Sequence, residues 1–131
     1  MNPLAGLLSE RLSKAQVVDG FETEPWAVCG RLPQAVVFPE SEAQVAEILS
    51  LSSEEGWHCV PAGRGSWLHG GQPPQAVDVL LSAERMSDIS EYEPADMFIS
   101  AQAGAGLDAL ERCTNEGGQW LAVDPPGGER G

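Results

Sequence analysis

Apolar residues recur at helical spacing in some stretches of this chain and gather into short runs in others. Leu4, Leu7, Leu8 and Leu12 share one helical face, so residues 3–15 are expected to form a short amphipathic helix, with Pro3 suited to its first turn. Val45, Ile48 and Leu49 give a second such face. Ser41, followed three residues later by Gln44, is a capping-box signature for its start, and Gly56 is a left-handed cap for its end. Val36-Val37-Phe38, Trp57-His58-Cys59-Val60 and residues 76–81, 89–93 and 97–101 are rich in β-formers and read as strands. Pro94-Ala95-Asp96 tightly joins the last two. Residues 18–32, broken by Gly20, Pro25 and Gly30, are expected to be irregular, and 82–88 to make a turn or one helical turn. Leu107, Leu110 and Cys113 mark a last helix that ends near Gly117-Gly118. No internal repeat appears. Short mixed strands and helices indicate an α+β fold with a small mixed sheet flanked by helices.

The candidate chemistry lies in Pro61-Ala62-Gly63-Arg64-Gly65-Ser66-Trp67-Leu68-His69-Gly70-Gly71, directly after a predicted strand. Glycines two apart can take positive φ and let the backbone approach a ligand. Successive N–H groups then face one concavity, which favours an anion such as a phosphate. A surface turn is the plainer alternative. A dinucleotide fingerprint needs a third glycine and then a helix, but Leu68 stands at that position and Gly70, Gly71, Pro73 and Pro74 follow. No Lys-Ser or Lys-Thr pair follows the glycines, so a Walker A loop is excluded. The order is strand, glycine loop, strand.

That loop resembles the pyrophosphate loop of FAD-dependent oxidases and dehydrogenases of the vanillyl-alcohol-oxidase type, the PCMH-type FAD-binding domain. Three more segments agree in type and order. Pro33-Gln34-Ala35-Val36-Val37-Phe38-Pro39 with Ser41-Glu42-Ala43-Gln44-Val45 is similar to the family's opening strand and helix. Ser100-Ala101-Gln102-Ala103-Gly104-Ala105-Gly106-Leu107 resembles its second glycine segment. Gly118-Gln119-Trp120-Leu121-Ala122-Val123-Asp124-Pro125-Pro126 is similar to the stretch before its next FAD-contacting loop, and within the family looks closest to the FAD-binding GlcE-type subunit of glycolate oxidase.

The resemblance implies the first subdomain of a PCMH-type FAD-binding fold over 33–131, preceded by an N-terminal helix and irregular lead-in over 1–32. It implies that more of the family's domain follows Gly131, so that this is the N-terminal piece of a longer enzyme whose catalytic residues lie elsewhere. Carried over by position, Gly63, Arg64, Gly65, Ser66 and Trp67 would offer N–H groups to the FAD pyrophosphate, with Pro61 and Ala62 leading into the loop. Gly70 and Gly71 would let the loop pass close beneath the cofactor. Gly104 and Gly106 would shape a second approach to it, or make a plain strand-to-helix turn. Pro125 and Pro126 would line its adenine or ring side. Some members carry a covalently attached histidine at the Ser66 position; serine here implies non-covalent FAD. His69 is expected to be an ordinary loop histidine. The activity implied is oxidation of a small 2-hydroxy acid, glycolate to glyoxylate, with other oxidase subunits including an iron–sulfur protein as partners. Two alternatives stand: a relative acting on D-lactate, an aldonolactone or an alcohol, or a non-catalytic interaction subunit that keeps the fold.

Composition changes the picture in two ways. Twenty acidic against seven basic residues give a net charge of −13, which argues against nucleic acid and anionic lipid surfaces as partners. Arg64 and a backbone nest would have to favour an anionic cofactor locally, against that field. Cys29, Cys59 and Cys113 are odd in number and widely spaced, so neither a disulfide framework nor a metal motif is expected. Reduced core thiols in a cytoplasmic protein are expected instead. His58 and Cys59 alternate across a strand and are expected to pack in the core rather than share a metal. No apolar run is long enough to span a bilayer, and no signal peptide is expected.

Overall fold

A computed structural model describes residues 2–125. The first helix, α1, runs over Pro3–Arg11, shorter than the 3–15 expected. Asn2 caps it by accepting from the Ala5 N–H at 2.8 Å, and Leu4, Ala5 and Leu8 are buried. Leu12 already sits outside helical geometry. The expected irregular stretch is corrected next: Val17–Asp19 forms strand β1, and Gly20–Trp26 winds as a 3₁₀ helix. Residue order had hidden both, since a three-residue strand has no period to read and its pairing is supplied from elsewhere.

Ala35–Val37 is β2, and Glu42–Glu55 is α2. Ser41 accepts from the Gln44 N–H at 3.3 Å, the first half of the expected box. The Gln44 carboxamide oxygen, however, accepts from the Glu40 N–H and from Gln16 Nε2. Gly56 ends the helix at φ 70°, as expected. The buried face is Ile48, Leu51 and Ser52 with Val45 packed beside it; Leu49, assigned to that face from sequence, is 50% exposed. Strands β3 (Cys59–Ala62) and β4 (Val79–Ser82) follow, both starting later than their sequence runs suggested. The hairpin β5 (Ile89–Glu93) and β6 (Phe98–Ala101) turns through a 3₁₀ segment at Pro94–Asp96, and α3 covers Leu107–Glu116.

The main sheet is mixed, in the order β1-β2-β4-β3. β1 is antiparallel to β2, while β2 and β3 both run parallel to β4. β5 and β6 pair separately. The central strands are buried on both faces, so their apolar runs are continuous rather than alternating. Ala35, Val37, Val79 and Leu81 meet α1 and α2. Val36 and Leu80 face the other way, against Val28, Phe38 and Val77 with Trp26 and Leu68.

Parallel neighbours need a crossover, usually a helix. β2 reaches β3 through α2, but β3 reaches β4 through 63–78, which contains no helix. A long loop without structure of its own inside a compact domain is usually functional.

Candidate functional site

The crossover is fastened at its start. The Ala83 N–H donates to the Ala62 carbonyl at 2.8 Å, and Ser82 Oγ donates to the Gly63 carbonyl at 2.9 Å. Both acceptors are thereby held toward the β4 side. Gly65 has φ 82° and Gly71 φ 90°, conformations that glycine adopts without strain. Gly63 does not take positive φ, contrary to the expectation for both glycines of the pair. A Cβ there would meet the Ala103 carbonyl at 3.4 Å, so its bareness leaves room for the neighbouring segment.

A hollow of about 360 Å³ opens over this loop, lined by all seven residues from Pro61 to Trp67 and by Leu68, Ala103 and Ala105. The sequence had assigned those seven; the other three it missed. Ala103 and Ala105 flank Gly104, and that alternation of small residues was the available signal. Gly104 itself does not line the hollow. A Cβ on it would run into the Ala83 carbonyl, so glycine lets the second segment lie directly on the strand end. Gly106 is the buried N-cap of α3. Gly70 and Gly71 lie farther along the loop and do not line the hollow; the Gly70 N–H donates to the Trp67 carbonyl. His69 is exposed. Pro125 does not line the hollow, and Pro126 is outside the described residues.

A second hollow of about 490 Å³ adjoins the first, sharing Pro61, Ala62, Gly63 and Ala103, with Val45, Leu81, Ala83, Met86 and Glu42 completing its largely apolar wall. The first hollow carries one cation, Arg64, and no acidic side chain. In a chain of net charge −13 this is a local exception, and it fits a bound anion. The two together fit a ligand with a charged middle and a flat apolar end, as FAD has. Gly65 contributes a backbone shape that a side chain would strain, and Arg64 contributes the charge.

His58 corrects another expectation. Its side chain is exposed, not core, and ring Nδ1 stands 3.0 Å from Asp78 Oδ2. The His58 backbone N–H also donates to that oxygen at 2.8 Å, and Gln34 Nε2 donates to Oδ1. Burial pushes the Asp78 carboxyl up, but the bonds from His58 and Gln34 and the charge of His58 outweigh it and hold it below its ordinary value. This cluster ties β2, β3 and β4 at the end opposite the hollow. Cys59 does pack beside the core, and burial pushes its thiol up against a smaller lowering by the Ser52 hydroxyl.

Residues 33–131 match the family described as FAD binding domain. A probable mitochondrial D-lactate dehydrogenase of Danio rerio is 26% identical over 95 residues, covering 72% of this chain and 19% of that protein. Glycolate oxidase subunit GlcD of Bacillus subtilis is 28% identical over 94 residues, covering 72% and 20%. The chain thus spans about a fifth of the length of these relatives. Among solved structures, an alkyldihydroxyacetonephosphate synthase superposes with a TM-score of 0.80 at 20% identity, covering 99% of this chain and 30% of that one. That likeness concerns the fold. No helix among the described residues is long and apolar enough to cross a membrane.

Proposed function

Because this chain belongs to the FAD binding domain family through residues 33–131, we propose that its glycine loop holds the FAD pyrophosphate without a covalent bond, within a flavin-dependent oxidoreductase of small 2-hydroxy acids. The observation that carries this is the hollow over the loop: cationic, free of carboxylates and walled by backbone at Gly63 and Gly65. Backbone from Gly63 to Trp67 would face the pyrophosphate, and Arg64 would add charge. The adjoining apolar hollow offers room for a planar ring. When bound, the flavin supplies the two-electron acceptor for a hydride taken from the substrate's α-carbon. This chain's part is to bind and orient that cofactor; the groups that hold substrate and move its proton lie elsewhere.

Glycolate is the substrate we name first, from the Gln-Trp-Leu to Asp-Pro-Pro segment and the glycolate oxidase subunit among the relatives. D-Lactate is the second reading, from the Danio rerio relative. Partner subunits, one of them an iron–sulfur protein, and a cytoplasmic setting belong to the same proposal. The test is a visible spectrum of the purified protein after incubation with FAD and gel filtration, on this chain and on a chain extended past Gly131. A retained flavin band is expected, and its absence from both sinks the proposal. Bleaching of that band by glycolate, but not by D-lactate, then decides the substrate.

A further inference from the structure

We infer that Trp26, which lies outside the 33–131 match, is a positioning residue for the anion-binding loop, and that the N-terminal segment is thereby a working part of the site. The inference rests on the FAD reading above. Gly65 is the residue lining the first hollow that takes the left-handed region, at φ 82°. A methyl group built on it would stand 3.0 Å from Trp26 Cζ3 and 3.3 Å from Cε3. The indole therefore lies flush under the backbone at Gly65.

Trp26 is itself held. Its ring meets Phe38 edge-on, with centroids 5.5 Å apart and planes at 68°. Phe38 is buried, and the Arg85 guanidinium sits 5.2 Å above its ring. Arg85 in turn bonds Glu40 and donates to the Ala15 carbonyl. The same N-terminal segment grips the loop a second time: the Cys29 N–H donates to the Leu68 carbonyl at 2.8 Å, and Leu68 packs in one cluster with buried Val28. A loop of sixteen residues that makes a helix-free crossover needs outside support, because its own ladder holds only its ends. Trp26 and Cys29 supply that support on either side of Ser66 and Trp67.

Two readouts separate this role from mere packing. The first is amide hydrogen exchange at 63–68 in the protein without FAD; the second is FAD affinity by titration. In Trp26→Ala the loop amides exchange faster and FAD binds about tenfold more weakly, the size expected for loss of one aromatic contact. Trp26→Phe keeps a ring under Gly65 and restores both. Leu8→Ala, buried on the opposite face of the sheet, serves as a control that lowers stability without touching the loop. If Trp26→Ala exchanges at 63–68 no faster than Leu8→Ala and binds FAD as the unaltered protein does, the positioning role is overturned while the FAD proposal stands. If neither this chain nor the chain extended past Gly131 binds FAD, yet Trp26→Ala alone frees the loop amides, the FAD proposal fails and the positioning role remains.

Discussion

Two glycines of this chain carry opposite consequences for the same substitution. At Gly104 an added Cβ meets the backbone carbonyl of Ala83, which no rotamer change can relieve. Gly104→Ala is expected to cost about 1–3 kcal/mol, the usual range for overpacking, read as a lower urea midpoint. At Gly6, within α1, an added Cβ meets nothing within 4 Å. Gly6→Ala is expected to raise the midpoint, by about 0.5–1 kcal/mol of stability, through helix propensity and a less disordered unfolded chain. Asp78 sets a pH limit. Its folded carboxyl titrates below the ordinary value, so its bonds stabilise the fold above the unfolded pKa of about 3.9 and that contribution fades as pH falls toward the lower folded value. Acid melts should show Asp78→Asn losing less stability between about pH 5 and 3 than the unaltered protein loses.

Among the elements, α2 shows what periodicity can and cannot reveal. Its start, its left-handed end and its core residues Val45 and Ile48 were legible, because caps and apolar spacing are local chemistry. Leu49 was misplaced because one position around a helix is about 100°, and the true stripe continues through Leu51 and Ser52 instead. Ser41→Ala should cost about 1 kcal/mol, the usual value of an N-cap, measured by thermal or urea unfolding. β1 was illegible for a different reason. Val17 and Val18 become a strand because β2 pairs with them, and pairing between distant segments leaves no local mark. In the loop, Gly63 and Gly65 drew attention for one reason and are used for two: Gly65 for its φ, Gly63 for the space beside Ala103. Ala103 and Ala105 had a local signal in the small residues around Gly104, whereas Trp26 reaches the loop only through the fold, so no spacing rule could have linked it to Gly65.

For the whole chain, the −13 charge is a repulsive load spread over a small body. Arg85–Glu40 and Arg112–Asp108 are exposed pairs and relieve little of it. Added salt screens the remainder, so the melting temperature is expected to rise from 10 mM to about 0.15 M salt, where the Debye length has shrunk to about 8 Å. A flat response would show that the acidic groups are already far enough apart not to matter. β3 carries a last consequence. Among the described residues it is an edge of the sheet; the His58 carbonyl just before it and its own Ala62 carbonyl take N–H groups from the β4 side, which turns the backbone of Cys59 and Pro61 toward the open side. Open edges invite foreign strands and aggregation, and proline is one way to blunt them. Pro61 has no N–H to offer, so the residue that leads into the ligand loop also keeps this border of the sheet from adhering to other chains.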